Sequence, residues 1–135
     1  MGHPDGLPEL FIDRSLGRIQ VPRLLRAEGL KARTLAEEYG IPADEEVADA
    51  DWLALAGGNS WPVLMKDERI RYRSAERQAL IAFRVQAFCL TNGNLRAAEM
   101  AEQFVSVIYG IAERCQFPGP FLFAISSSGF RRVDL

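Results

Sequence analysis

Leu10-Phe11-Ile12-Asp13 and Trp61-Pro62-Val63-Leu64-Met65-Lys66-Asp67 decide the fold. Each is a short apolar run that breaks off at an acid, the pattern of a buried strand meeting a polar edge. Between them, Pro22 suits a first helical turn, Leu24, Leu25 and Ala27 supply apolar contacts, and Gly29 stands where a helix C-terminal glycine belongs. The opening unit therefore reads as strand then helix. Residues 30–35 alternate weakly between apolar and polar, which predicts a second strand, and an acidic loop is expected after it. Asp49 is then placed as the N-cap of a short helical run, Ala50 to Ala56, stopped by Gly57-Gly58-Asn59.

Further along, Ser74 is expected to cap a helix reaching Phe83, and Val85, Ala87 and Cys89 share one face of a strand over residues 85–90. After the turn Thr91-Asn92-Gly93-Asn94, apolar residues Ala98, Ala101, Val105, Ile108, Ala112 and Cys115 recur at three- and four-residue steps. That spacing predicts one continuous helix with a buried stripe. Phe121 to Ile125 and Phe130 to Val133, joined by Ser126-Ser127-Ser128-Gly129, read as a closing hairpin or edge strands. Strands separated by helical segments predict an α/β fold with a mostly parallel sheet and helices on its faces. Ligand sites in such sheets lie at the carboxyl ends of the strands. Asp13 and Asp67 both fall at such an end and are expected to face one crevice.

The totals narrow the chemistry. A chain of 135 residues, 48% apolar and 25% charged, suits one compact domain, expected over residues 9–135 behind a flexible tail at 1–8. No apolar run approaches membrane-spanning length, and MGHPDGLPEL lacks the basic-then-apolar pattern of a signal peptide, so a cytoplasmic protein without membrane contact is expected. Cys89 and Cys115 have no CxxC spacing and read as reduced thiols. His3 is the one histidine and sits in the tail. A His-based triad, a paired-His ribonuclease mechanism and a His/Cys zinc site are thereby excluded, and hydrolytic chemistry has to rest on carboxylates, with or without metal.

Charge is unevenly spread. Residues 34–65 hold seven acids and no Lys or Arg, whereas residues 9–33 carry six basic side chains and residues 66–77 five. An acidic block between basic ones is a layout for a metal site rimmed by phosphate contacts, and equally for solvated helix faces. Two or three carboxylates brought close repel one another unless a cation neutralises them, and Mg²⁺ or Mn²⁺ suits such hard oxygen donors. Arg14, Lys66, Arg69, Arg71 and Arg73 lie beside the acids in sequence and are candidates for binding phosphate. Trp52 and Trp61 each sit in an apolar run and are read as core.

Four segments taken in order, Phe11-Ile12-Asp13-Arg14-Ser15-Leu16-Gly17, Leu24 to Leu30, Asp49-Ala50-Asp51-Trp52-Leu53 and Trp61 to Ile70, resemble the PIN-like domains of VapC-type toxins. These are the toxin ribonucleases of bacterial toxin–antitoxin pairs. The resemblance implies a three-layer α/β/α PIN-like domain and a Mg²⁺- or Mn²⁺-dependent endoribonuclease. It also implies an RNA substrate, whose backbone Arg14, Lys66, Arg69, Arg71 and Arg73 would bind, and a cognate antitoxin, with assembly as a homodimer or a hetero-oligomer with that antitoxin. Matched by residue, Asp13, Asp49 and Asp67 would be the catalytic and metal-binding acids, with Asp51 and Glu38 as additional acids. The family's glutamate after the second unit has no clear counterpart, Glu38 or Glu37 being the positions available, and Met65 stands where a small hydroxyl residue is common. Those departures leave room for a PIN-like RNA- or protein-binding module without catalysis. The same acids would also serve a metal-dependent phosphohydrolase or DNA nuclease.

Overall fold

A computed structural model describes residues 2–66 and 72–135. The chain opens with β1 (Leu10–Ile12), α1 (Gln20–Ala27), β2 (Ala32–Thr34), α2 (Leu35–Tyr39) and α3 (Asp49–Gly58). It continues with β3 (Val63–Met65), α4 (Ser74–Ala82), β4 (Gln86–Leu90), α5 (Ala97–Ser106), α6 (Ile108–Arg114), β5 (Phe121–Ser126) and β6 (Gly129–Val133). The strands form one sheet in the order β2-β1-β3-β4-β5-β6, parallel throughout except for the β5–β6 hairpin. This is the expected mostly parallel α/β/α arrangement.

Strand alternation splits the core in two. Leu10, Ile12, Leu64, Phe88 and Leu90 face α1, α5 and α6, whereas Phe11, Val63, Met65, Ala87 and Cys89 face α3 and α4. Burying each such large apolar side chain contributes about 1.5–3 kcal/mol, which is why short strands suffice when both faces are covered. From β1 the chain pairs β2 on one side, then returns to pair β3 on the other. The strand order therefore reverses at β1, and the crevice at its carboxyl end is a topological switch point.

Several expectations are corrected. The segment after β2 is not simply a loop: Thr34 and Glu37 form a reciprocal capping box that starts α2 at Leu35, because the Thr34 hydroxyl accepts from the Glu37 amide while the Glu37 carboxylate accepts from the Thr34 amide. Asp49 is the first residue of α3 rather than its cap, a place taken by Ala48. Ser74 is likewise the first residue of α4, with Arg73 at the N-cap position and no side-chain cap there. The single long helix is two, α5 and α6, interrupted at Val107, and Ala98 is exposed. The buried stripe runs through Met100, Ala101, Phe104, Ile108 and Ile111: Ala101 and Ile108 lie on it as expected, whereas Val105, Ala112 and Cys115 are only half-buried. The stretch before β1 touches the body at His3, Pro4 and Leu7. There the Lys31 amide donates to His3 Nδ1 at 3.0 Å, which leaves Nε2 to donate to the Leu7 carbonyl at 2.8 Å, and Pro4 and Leu7 are buried. Among the described residues no helix is long and apolar enough to cross a membrane.

Gly57 and Gly58 are the last two residues of α3, which stops at the expected Gly57-Gly58-Asn59 with Asn59 as its C-cap. A Cβ on Gly57 would stand 2.3 Å from the Phe83 carbonyl oxygen, so glycine permits α3 to approach the end of α4. A Cβ on Gly58 meets nothing within 4 Å. Gly58→Ala is expected to stabilise by up to about 1 kcal/mol through helix propensity. Gly57→Ala is expected to destabilise, because overpacking of about 1–3 kcal/mol exceeds the same gain. Urea denaturation of both variants checks the opposite signs.

Candidate active site

The carboxyl end of β1 is clasped to the end of β3. Ile12 pairs with Leu64 in the parallel ladder, and the Asp13 amide donates to the Leu64 carbonyl at 3.0 Å. Two residues further along each segment, the Lys66 amide donates to Ser15 Oγ at 3.2 Å. The same hydroxyl donates to Asp13 Oδ2 at 2.5 Å, and the Ser15 amide reaches that oxygen at 3.3 Å. Asp13 thus caps the 3-10 turn Arg14–Leu16, and its carboxylate is fixed by a hydroxyl that also ties the two strand ends together.

Asp13 is one of three buried polar or charged residues, with Thr34 and Asp44, among the described residues. Burial pushes its carboxyl group above the ordinary aspartate range, the Ser15 hydrogen bonds oppose this, and the charge of Asp49 adds to the upward push. Asp49 is therefore close enough to be felt electrostatically. It sits on the first turn of α3, where its Oδ1 accepts from Trp52 Nε1 at 2.9 Å. Arg14 lies 3.6 Å from Oδ1 and Arg73 3.7 Å from Oδ2.

The other expected acids go elsewhere. Asp51 is exposed, and its charge is felt by Tyr39, whose phenol is pushed up first by burial and then by Asp51 and Glu38. Glu38 is ion-paired to Arg33, which also pairs with Glu9. Glu37 is committed to the capping box and to Arg26. Neither glutamate is among the groups that act on Asp13. Of the expected RNA contacts, Arg14 donates to the backbone carbonyls of Glu45 and Val47, Lys66 is half-buried, and Arg73 stands at Asp49. Asp67, Arg69 and Arg71 lie outside the described residues.

Sequence reading missed Ser15 and the role of Trp52. Asp-x-Ser after a strand is a turn signal that would have drawn attention to Ser15, and Trp52 lies three residues beyond Asp49, on the same helix face. It also passed over Asp44, buried and held in the Arg18 fork at 2.9 and 3.0 Å. That pair borders a cavity of about 620 Å³ lined by Ile12, Leu16, Ile19, Leu35 and Ala97, on the α1 side of Arg14.

The donor set fits a hard divalent cation in kind, since Asp13 and Asp49 offer carboxylate oxygens and a cation would relieve the cost of a buried charge beside a like one. Among the described residues, no group of three or more His, Cys, Asp or Glu side chains is placed to hold a metal ion.

Residues 8–92 match the family described as PIN like domain. The match covers well over half of the chain, which therefore belongs to the PIN-like domain family. The chain is also 34% identical over 127 residues to a Mycobacterium tuberculosis (strain ATCC 25618 / H37Rv) protein named "Putative ribonuclease VapC45", covering 94% of this chain and 92% of that protein. No solved structure matches the chain.

Because its pKa is raised in the folded protein, the ionised Asp13 costs stability. That cost is absent below the ordinary aspartate range, grows as pH rises towards the raised folded value, and is fully present above it. Asp13→Asn keeps the capping oxygen and removes the charge. The metal-free variant is expected to be more stable than the metal-free parent at about pH 7, with the advantage shrinking towards about pH 4. Urea denaturation at both values checks it.

Proposed function

We propose that this PIN-like domain is a Mg²⁺- or Mn²⁺-dependent endoribonuclease, the toxin of a type II toxin–antitoxin pair acting in the cytoplasm. The observation that carries the reading is the buried Asp13 carboxylate, held by Ser15 beside Asp49 at the switch point of the sheet. Asp13 and Asp49 would hold the ion, with Asp67, two positions beyond the end of β3, as the third acid. When bound, the ion supplies a nucleophilic water at neutral pH and offsets charge on the phosphate oxygens.

The protein's own groups would do the rest. Ser15 keeps one Asp13 oxygen occupied and so directs the carboxylate. Arg14, Lys66, Arg69, Arg71 and Arg73 would contact the RNA backbone, where arginine's planar fork matches phosphate. Arg14 and Arg73 balance Asp49 and would exchange that partner for phosphate and cation. The choice of RNA rests on kinship with the mycobacterial relative and its name. So does the cognate antitoxin, with which this single domain over residues 9–135 would form a hetero-oligomer, or else a homodimer of its own. A small DNA-binding protein encoded in the adjacent gene would support that pairing, and a solitary gene would weaken it.

One observation favours a second reading, a PIN-like RNA- or protein-binding module without catalysis. Asp49 already has an indole donor and two arginines, and neither Glu37 nor Glu38 joins Asp13.

RNA cleavage measured with Mg²⁺ or Mn²⁺, and again with EDTA, separates the two. The nuclease reading expects cleavage that EDTA abolishes and that Asp13→Asn, Asp49→Asn and Asp67→Asn each lower by at least about 100-fold, the scale of losing one preorganised electrostatic group. Cleavage indifferent to EDTA, or full activity in Asp13→Asn and Asp67→Asn, overturns it.

A further inference from the structure

A column of flat side chains, buried at Phe11 and Trp52, ends at one of the two acids. The Arg33 guanidinium lies over the Trp61 ring at 4.7 Å. Trp61 stacks on Phe11 with ring centres 5.8 Å apart and planes 6° apart, and Phe11 stacks on Trp52 at 5.7 Å and 17°. Trp52 is almost fully buried, and its indole N–H donates to Asp49 Oδ1 at 2.9 Å. Stacked rings at these spacings are attractive beyond their burial, and Trp52 packs among Leu53, Ala56 and Val63, so its ring has one available pose.

A buried indole N–H needs an acceptor, and this contact could serve packing alone. Two features go further. The acceptor is the carboxylate whose charge reaches Asp13, and it is met through one oxygen, as Ser15 meets Asp13 through one oxygen. Both donors are neutral, so they orient the carboxylates without cancelling the charge that a cation requires. Arg14 and Arg73, at 3.6 and 3.7 Å, lie beyond good hydrogen-bond distance and are more exposed than Asp49. The indole is thus the stiff restraint on Asp49, and the arginines are the yielding ones.

We propose that Trp52 is a positioning residue whose indole N–H, immobilised by the Trp61–Phe11–Trp52 stack, holds Asp49 Oδ1 and aims its carboxylate at Asp13 to share a divalent cation. The inference rests on the metal reading of Asp13 and Asp49 given above. Outer-shell donors of this type typically govern metal affinity by 10–100-fold.

Trp52→Phe keeps the stacked ring and removes the N–H. Calorimetric titration of the full chain with MnCl₂ is expected to show affinity about 10–100-fold weaker in Trp52→Phe, with a cooperative thermal transition retained. Mn²⁺ affinity equal to that of the parent overturns the proposal. Should the parent itself bind no Mn²⁺, the metal reading fails, and the restraint on Asp49 is decided separately by NMR of the metal-free chain. The Trp52 indole ¹H resonance is expected to shift upfield in Asp49→Ala as its charged acceptor is lost; an unmoved resonance overturns the restraint.

Discussion

The hydroxyl of Ser15 lies where two constraints meet. It accepts the Lys66 amide at the end of β3 and donates to the Asp13 carboxylate at the end of β1. These are the strands between which the order of the sheet reverses, so their carboxyl ends open a crevice that no crossover covers. With Ser15 in place, an aspartate that would otherwise turn outward to solvent is kept inward. Asp13 and Asp44 are the buried acids among the described residues, and their partners separate them: the Arg18 guanidinium holds Asp44, whereas the neutral Ser15 hydroxyl holds Asp13.

That inward carboxylate has a cost, and the rest of the site is arranged around it. Burial and the charge of Asp49 both disfavour ionised Asp13, while two hydrogen bonds from Ser15 favour it. A fold selected for stability alone would place a neutral side chain there, and strain of this kind at the mouth of a crevice is a mark of function. Asp49 is restrained differently, by an indole fixed in a stack that crosses the α3 side of the core. Turn chemistry governs one acid and aromatic packing the other. One restraint is a surface turn and the other a core stack, which lets the carboxylates be set independently.

The fold was readable because its signals are local and strong. Phe11-Ile12-Asp13 and Val63-Leu64-Met65 could be nothing but short strands buried on both faces, and Gly29 does adopt the left-handed conformation after α1. Gly57 reads as part of a stop and does lie at the end of α3, where the adjacent Phe83 backbone also demands a missing Cβ. Errors arose where tertiary packing outranked local preference. Of the expected stripe Ala98, Ala101, Val105, Ile108, Ala112 and Cys115, Ala101 and Ile108 are buried, but the larger Met100, Phe104 and Ile111 take the places left by the rest. Within the site, Asp13 was legible from its strand end. Asp49 was legible as an acid but not in its partner, since a tryptophan in an apolar run reads as core, and this one is both core and donor. Glu38 was drawn in by kinship alone, and Arg33 claims it. Asp51 is exposed on another face from Asp49, because two residues along a helix turn a side chain by about 200°.

The central claim is that Asp13 and Asp49 form one cation site. Anomalous diffraction from crystals of the full chain grown with MnCl₂ tests it most directly. The account predicts a manganese peak about 2.1 Å from a carboxylate oxygen of each of Asp13 and Asp49, with the Trp52 indole still on Asp49 Oδ1. A peak that touches neither aspartate, or no peak with Asp49 still between Arg14 and Arg73, would contradict it.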